Sequence, residues 1–407
     1  MLDLPRVTIT EKGERHAKSG HPWVFEGEVT DVSETPEDGS LVNVFSKKER
    51  FIGTGYYNKS SKIRVRLIST NANDRFDEAF YKRRVKYALD YRRAVMGNDF
   101  HASRLIFGEA DSFPGLTVDL FEDVLVCQTL CLGTEGVKDI IFNALIELLP
   151  DYGVHVRQIY ERCDASVREL EGMKQFCGYY RPEVFGANSG NGHVTITENG
   201  IKYDVDFING QKTGFFLDQK YNRRAAAGLA AGRRVLDCFT HTGAFALNCA
   251  AAGAAYVNAV DISATAIEQT KRNAVLNGLE NKLDYTCRDV FGLLTEMVAA
   301  HDHSYDYIIL DPPAFTKSSA TVKDAYRGYK DINMRAMRCL PRGGFLATAS
   351  CSHFMKPDIF ERMLVDAASD AGVTIRIIER RAQSPDHPIL PTIPETEYLK
   401  LYILQIV

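Results

Sequence analysis

The sequence lacks the features that mark membrane, secreted and zinc-binding proteins. Its uninterrupted apolar runs, such as residues 308–310, are far shorter than the roughly 20 residues of a membrane-spanning helix. The chain does not open on a basic segment followed by an apolar one, and its nine cysteines are scattered without a Cys-x-x-Cys pair. We therefore expect a cytoplasmic protein with reduced thiols, no metal site and no membrane partner.

The composition is that of a globular protein of several domains. The chain has 407 residues, of which 45% are apolar and 25% charged, and this length predicts two or three domains. The net charge of −4 excludes the overall basic character of many nucleic-acid-binding proteins, but it leaves room for local basic patches.

Patterns in the first half predict two small domains. Residues 7–69 contain short β-rich runs separated by turns, which predict a small β-barrel. A helix predicted over 76–96 follows, and then strand and helix patterns typical of an α+β unit. A Gly- and Asn-rich break over 186–192 precedes a β-hairpin that turns at Asn199 and Gly200. We predict domains at 1–70, 71–190 and 191–407.

The last domain alternates strands and helices, which predicts a doubly wound parallel sheet. Strands are predicted over 234–238, 256–261, 283–287, 307–311, 344–348 and 373–378. The final run, 398–406, follows its predecessor without a helix, so we expect it to be antiparallel. The predicted fold class is therefore α/β, with a Rossmann-like sheet preceded by the β-barrel and the α+β domain.

Aspartates end four of these predicted strands. Asp237 begins a loop with a single glycine, Gly243, where a dinucleotide site would need several glycines and no carboxylate. Asp261 lies 24 residues further on, where an acid can hold ribose hydroxyls, and Asp289 and Asp311 follow. This pattern favours S-adenosylmethionine, which carries an ammonium and a sulfonium group, over NAD. The alternative is that each aspartate caps a helix.

Several stretches of the chain resemble a known family. The stretches 235–243, 311–317 and 350–353, with Asp261, are similar to motifs of class I S-adenosylmethionine-dependent methyltransferases. Further stretches, at 20–25, 53–58, 160–164, 210–219 and 386–388, resemble the RlmI-type large-subunit ribosomal RNA cytosine-C5 methyltransferases. That family combines an N-terminal PUA domain, a central α+β domain and a methyltransferase domain, and the resemblance covers nearly the whole chain.

The resemblance implies a set of cofactor-binding and catalytic residues. The implied cofactor contacts are Phe215, Asp237, Phe239, Thr242, Gly243, Asp261, Ile262, Asp289, Asp311 and Pro312. Cys351 would add to C6 of the cytosine as a thiolate favoured by nearby cations or peptide N–H groups, and Asp311 would hold the base. Many RNA cytosine-C5 methyltransferases carry a second cysteine in the loop where this chain, like the RlmI-type proteins, has Pro312-Pro313, so the group that removes the C5 proton is unassigned; His353 and Lys317 are candidates.

RNA is the implied partner. Candidate contacts are Lys12, Arg15, His21, Trp23, Arg83, Arg84 and Arg223. Basic clusters on helices are more often solvated surface, which is the alternative for each of them. The sequence leaves a homodimer open.

Two other functions remain possible at this stage. The enzyme would methylate another nucleobase position if Cys351 were not its nucleophile. A non-catalytic assembly factor would bind the cofactor and RNA without transferring a methyl group. A nicotinamide dehydrogenase is disfavoured by the single glycine of the first loop.

Overall fold

The computed structural model describes residues 1–185, 191–316 and 318–407. The chain forms two compact units, the first comprising Met1–Ile196, Val205–Leu217 and Pro385–Thr396, and the second Thr197–Asp204, Asp218–Ser384 and Glu397–Val407. Two segments from the second half of the chain thus belong to the first unit. Most of the predicted break over 186–192 lies outside the described residues, and the three-domain division stays a prediction.

The first unit begins with six strands and one helix. They are β1 (Arg6–Ile9), α1 (Glu11–Lys18), β2 (Trp23–Phe25), β3 (Val29–Val32), β4 (Leu41–Ser46), β5 (Phe51–Tyr57) and β6 (Ile63–Ser69). The strands form one sheet in the order β2-β6-β5-β4-β1-β3, in which only β1 and β4 are parallel. A Cβ at Gly55 would lie 2.3 Å from the carbonyl oxygen of Arg66, so glycine permits this close strand pairing.

A second sheet in this unit is flanked by two long helices. Its elements are α2 (Glu78–Met96), β7 (Ala102–Phe107), β8 (Leu116–Phe121), β9 (Val124–Thr129), α3 (Leu132–Leu148), β10 (Gln158–Cys163), α4 (Val167–Leu170), β11 (Phe176–Tyr179) and α5 (Pro182–Phe185). The strand order is β11-β10-β9-β8-β7. Helix α2 begins two residues later than predicted because Asp77 accepts a hydrogen bond from the Phe80 amide and caps it.

The predicted hairpin is present as β12 (His193–Glu198) and β13 (Ile201–Asp206). Its turn residues, Asn199 and Gly200, have φ angles of 54° and 81°. Positive φ at both turn positions is what an Asn-Gly pair provides in a two-residue hairpin.

The second unit contains the alternating strands and helices. They are α6 (Lys220–Ala227), β14 (Arg234–Cys238), α7 (Ala244–Ala251), β15 (Tyr256–Asp261), α8 (Ala264–Leu276), β16 (Leu283–Cys287), α9 (Val290–Ala299), β17 (Tyr307–Leu310), α10 (Val322–Cys339), β18 (Phe345–Ser350), α11 (Pro357–Ala371), β19 (Ile375–Arg381) and β20 (Lys400–Ile406). The strand order is β16-β15-β14-β17-β18-β20-β19. Strands β14 to β18 are parallel, and β20 is antiparallel to both of its neighbours, as predicted.

The strand order reverses between β14 and β17, the two central strands. Ligands of doubly wound sheets bind at such a point, beyond the carboxyl ends of the strands. Apolar side chains of these strands, such as Leu236, Ile308 and Leu346, are fully buried and hold the sheet rigid beneath that edge. A ligand site is therefore expected at the carboxyl ends of β14 to β18.

Candidate active site

The loop between β14 and α7 is strained and tightly packed. Phe239, His241 and Gly243 have φ angles of 63°, 52° and 80°. A Cβ at Gly243 would lie 2.5 Å from Cγ2 of Thr270 on α8, so no other residue fits this position without displacing that side chain. Strain of this kind is concentrated at ligand-binding and catalytic sites.

Asp237 stabilises this loop through hydrogen bonds of its side chain. It lies within β14, fully buried, and its Oδ2 accepts hydrogen bonds from Thr240 Oγ1 at 2.5 Å and from the Ala246 amide at 3.0 Å. Its Oδ1 is also buried and has no hydrogen-bond partner in the part of the chain that the structure describes. Burial raises the pKa of Asp237 to about 7. A ligand that brings a donor or a positive charge would satisfy this oxygen.

The pKa of Asp237 predicts a pH-dependent stability. An unfolded chain releases the aspartate proton near pH 4, whereas folded Asp237 releases it near pH 7. Between these values the folded state binds more protons, so the free energy of unfolding should fall as pH rises from about 4 to 7. Urea unfolding of the cofactor-free protein across this range tests this. Asp237→Asn, which does not titrate, should show a shallower dependence; an unchanged slope would contradict the assignment.

Asp261 ends the neighbouring strand β15, and Ile262 follows it. The two carboxylate oxygens of Asp261 accept hydrogen bonds from the His241 amide at 3.0 Å and the Ser263 amide at 2.9 Å. A carboxylate has about four acceptor positions, so both oxygens can still accept from ribose hydroxyls. Ile262 is 71% exposed, which offers an apolar surface to a flat ring beside them.

Asp289 serves a structural role that the alternative interpretation anticipates. It caps α9, with Oδ2 accepting a hydrogen bond from the Gly292 amide at 2.7 Å, and its side chain is exposed. Capping explains this residue without a ligand, and its contact with the cofactor stays a prediction. The same holds for the remaining predicted cofactor residues: Phe215 is buried and lies in the first unit, Phe239 and Thr242 are half-buried, and Pro312 is buried.

Asp311 and Cys351 follow adjacent strands. Strands β17 and β18 are paired in parallel with Leu310 opposite Thr348, so the residues beyond them reach the same edge. Gln219 Nε2 donates to Asp311 Oδ1 at 3.0 Å. Burial, reinforced by the charge of Asp218, raises the pKa of Asp311 to about 7. The predicted pair of catalytic residues is thus brought together, with a glutamine that the sequence analysis did not single out.

The expectation of a stabilised thiolate at Cys351 is wrong for the protein without substrate. Burial, followed by the carboxylates of Asp311 and Asp218, raises the pKa of the Cys351 thiol to about 12, and Lys400 offsets this only in part. Both acids approach the same sulfur although they are distant from it in the sequence. The thiol is therefore neutral near pH 7 until the negative charges around it are compensated.

Lys400 is a buried cation of this site that sequence analysis missed. It lies on β20, opposite Ser350 of β18, and is 4% exposed. Its Nζ donates to the carbonyl oxygens of Ser352 and Tyr398, both at 2.7 Å. Burial lowers the pKa of Lys400 to about 8. A lysine inside the apolar run 399–404 was the available signal, since a buried strand seldom carries a charge without a role.

The roles of His353 and Lys317 as proton acceptors stay predictions. His353 follows Cys351 by two residues, is half-buried and lies edge-on to Phe354, with ring centroids 5.2 Å apart. Lys317 lies outside the described residues. Within the described ranges there is no group of three or more His, Cys, Asp or Glu residues that could hold a metal ion, and no helix is long and apolar enough to cross a membrane.

The structure corrects two of the predicted RNA contacts. Arg223 is 3% exposed and its guanidinium pairs with Glu198 at 2.7 Å, so it is part of the protein interior. His21 is 4% exposed, with Nε2 3.1 Å from Glu395 and its ring stacked on His16. Neither side chain has the exposed surface that RNA contact requires.

The other five differ in how available they are. Lys12 and Arg15 are exposed on α1, and no acidic partner of either is found among the described residues. Trp23 is half-buried and donates from Nε1 to Glu109. Arg83 pairs with Asp74 at 3.6 Å, and Arg84 is half-buried and donates to the Ser112 carbonyl. Lys12 and Arg15 are therefore the better placed for phosphate contact.

These residues fit S-adenosylmethionine. The unpartnered oxygen of Asp237 suits a cationic group, Asp261 retains acceptor positions for hydroxyls, and Ile262 supplies an apolar surface. The tight approach at Gly243 keeps the loop close to the strand ends where such a ligand would lie.

Comparisons with known proteins agree with this site. Family profiles match at residues 7–70, for a PUA-like domain, and at 177–401, for an S-adenosylmethionine-dependent methyltransferase. Ribosomal RNA large subunit methyltransferase I of Alteromonas mediterranea is 39% identical over 405 residues, covering 98% of each chain. The protein of the same name from Aeromonas hydrophila is 41% identical over 397 residues, covering 97% of each.

A solved structure, a putative S-adenosylmethionine-dependent methyltransferase from Streptococcus mutans, shares the fold with a TM-score of 0.81. It is 21% identical, and the match covers 98% of this chain and 99% of that one. The chain uses S-adenosylmethionine and belongs to the family of S-adenosylmethionine-dependent methyltransferases that includes ribosomal RNA large subunit methyltransferase I.

Proposed function

We propose that the protein methylates C5 of a cytosine in large-subunit ribosomal RNA, through a covalent bond between Cys351 and the base. The observation that carries the proposal is the position of Cys351 beside Asp311 at the carboxyl edge of the sheet. Support for the RNA substrate comes from relatives named ribosomal RNA large subunit methyltransferase I, which match almost the whole chain.

A thiol is needed because C5 of cytosine is a weak nucleophile. Addition of the Cys351 sulfur to C6 turns the ring into an enamine whose C5 can attack an electrophile. When bound, S-adenosylmethionine supplies the electrophilic methyl group. Asp237, Asp261 and Ile262 would hold this cofactor.

Asp311 prepares both the base and the thiol. A carboxyl group with a pKa of about 7 can share a proton with the base or accept from its amino group. Either interaction compensates the negative charge of Asp311, which is one cause of the raised pKa of Cys351. Binding of the cytosine thus favours the thiolate, assisted by the ammonium of Lys400. The reactive form of Cys351 then develops only when its substrate is present.

Nucleoside analysis tests the proposal. The protein is incubated with methyl-labelled S-adenosylmethionine and ribosomal RNA from cells that lack the protein, and the digested RNA is analysed by mass spectrometry. We expect label in 5-methylcytidine. Label in N4-methylcytidine or another nucleoside would support methylation of another nucleobase position. The neutral thiol of Cys351 favours that alternative, because such a reaction does not need a thiolate. If no RNA is labelled, the result would favour the alternative that the protein is a non-catalytic assembly factor.

RNA contact by helix α1 predicts a change in salt dependence. Lys12→Ala combined with Arg15→Ala should weaken RNA binding for all sequences and lower the slope of log Kd against log salt concentration by about 1 to 2. Binding is measured from low to physiological salt. Lys271→Ala, which removes an exposed lysine already paired with Glu268, is the matched control and should leave the slope unchanged. An unaltered slope in the double variant would remove α1 from the RNA interface.

Three predictions from the sequence complete the proposal. They are the division into PUA-like, central and methyltransferase domains, a cytoplasmic location, and a homodimer as an open possibility. Size-exclusion chromatography with light scattering decides the last of these.

A further inference from the structure

Asp218 has a carboxylate oxygen for which the fold provides no partner. It lies in the short helical turn Leu217–Gln219 before α6, where its carbonyl oxygen accepts from the Ser384 amide at 2.7 Å. Its Oδ2 accepts from the Tyr398 hydroxyl at 2.6 Å. Its Oδ1 is buried and has no hydrogen-bond partner within residues 1–185, 191–316 and 318–407. A buried acceptor left open costs stability, so a role for it is expected.

Hydrogen bonds connect Asp218 with the residues around Cys351. Tyr398, which holds Oδ2, also offers its carbonyl oxygen to Lys400, and the same ammonium donates to Ser352, the residue after Cys351. On the other side, Gln219 donates to Asp311. Asp218 is also among the charges that raise the pKa of both Cys351 and Asp311, which places it close to the two of them.

The proposed reaction still has no assigned proton acceptor. Once C5 carries the methyl group, it also retains its original proton, and the base stays bound to the enzyme until that proton leaves. The two positions after Asp311 hold Pro312 and Pro313, which have no titratable group. Asp311 is engaged by Gln219 and is assigned to holding the base.

We propose that Asp218 is the general base that removes the C5 proton and so releases the methylated base from Cys351. The inference rests on the proposed function. Oδ1 takes the proton from C5, the C5–H electron pair becomes the C5=C6 double bond, and the C6–S pair returns to Sγ of Cys351 as a thiolate. No other reactant is consumed. Tyr398 fixes Oδ2, so Oδ1 is the oxygen available for this step.

The variant Asp218→Asn separates methyl transfer from release. An amide cannot accept the C5 proton, whereas addition of Cys351 and methylation of C5 do not need it. With methyl-labelled S-adenosylmethionine and ribosomal RNA, we expect a labelled protein–RNA adduct on denaturing gels, and release of 5-methylcytidine RNA slowed by about 10² to 10⁴-fold. Wild-type turnover without adduct in this variant would overturn the proposal.

Asp284→Asn is a matched control. Asp284 also accepts a tyrosine hydroxyl, that of Tyr256 at 2.7 Å, but it lies at the start of β16, away from the carboxyl edge. This variant should turn over like the wild type and accumulate no adduct. An adduct in the control would show that neutralising any aspartate that accepts from a tyrosine produces the effect, and it would count against Asp218.

Two further results keep the test decisive. If Asp218→Asn fails to fold or to bind S-adenosylmethionine, Tyr398→Phe takes its place: it keeps the carboxylate but frees Oδ2, and we expect about tenfold slower release with some adduct. Wild-type release in Tyr398→Phe would then overturn the assignment. If the wild type itself forms no 5-methylcytidine, the proposed function fails; if it forms 5-methylcytidine and Asp218→Asn does so equally well, only Asp218 is excluded.

Discussion

Methyl transfer to RNA is expected to fall by at least about a thousandfold when Cys351 is replaced by alanine. Without the sulfur, no enamine forms and C5 keeps its low reactivity, whatever the cofactor offers. Affinity for S-adenosylmethionine should stay close to the wild-type value, because the residues that fit the cofactor are on β14, β15 and the loop after β14. Single-turnover methylation and equilibrium cofactor binding measure the two quantities separately.

Cys177→Ala is the control for this variant. Cys177 is an exposed thiol on β11 of the first unit, and its loss should leave methylation unchanged. Full methylation by Cys351→Ala would exclude covalent catalysis and favour methylation of another position. Cofactor affinity lost together with activity would show instead that Cys351 supports the fold of the site.

Gly243→Ala is expected to weaken S-adenosylmethionine binding by about tenfold to a hundredfold. The new Cβ would lie 2.5 Å from Cγ2 of Thr270, a fully buried side chain whose Oγ1 donates to the carbonyl of His241. The clash therefore displaces the loop that carries Thr240 and His241, and overpacking of this kind costs about 1–3 kcal/mol. The positive φ of 80° adds backbone strain.

Gly253→Ala isolates the clash from the strain. Gly253 has a φ of 90°, but no described atom lies within 4 Å of the position that its Cβ would take. Both variants thus strain the backbone, and only Gly243→Ala disturbs the loop. Isothermal titration calorimetry with S-adenosylmethionine should show near wild-type affinity for Gly253→Ala. Equal losses in the two variants would mean that the packing against Thr270 does not shape the cofactor site.

The regular alternation of the second half made its fold predictable. Strands β14 to β18 lie close to their predicted positions, and β20 is antiparallel, as expected from the absence of an α-helix between it and β19. The sequence did not show that β20 lies between β18 and β19. A hydrophobic pattern indicates that a strand exists, but it does not indicate which strands are its neighbours.

The chemical state of the site depends on residues that are distant in sequence. Asp311 and Asp218 approach Cys351 from separate segments, and their joint effect on its pKa exceeds that of Lys400. The sequence does not show that Arg223 and His21, both predicted as RNA contacts, are buried and lie beside Glu198 and Glu395. Local patterns located the site; the electrostatics came from the tertiary structure.

Trapping with 5-fluorocytidine RNA tests the central claim that Cys351 bonds to the cytosine. Fluorine at C5 cannot leave as a cation, so the bond between sulfur and C6 persists after methylation. Large-subunit ribosomal RNA transcribed with 5-fluorocytidine is incubated with the protein and S-adenosylmethionine, and the digested adduct is analysed by mass spectrometry. The account predicts one peptide, containing Cys351, that carries a methylated fluorocytidine. Methylated RNA with no adduct, or an adduct on another residue, would contradict it.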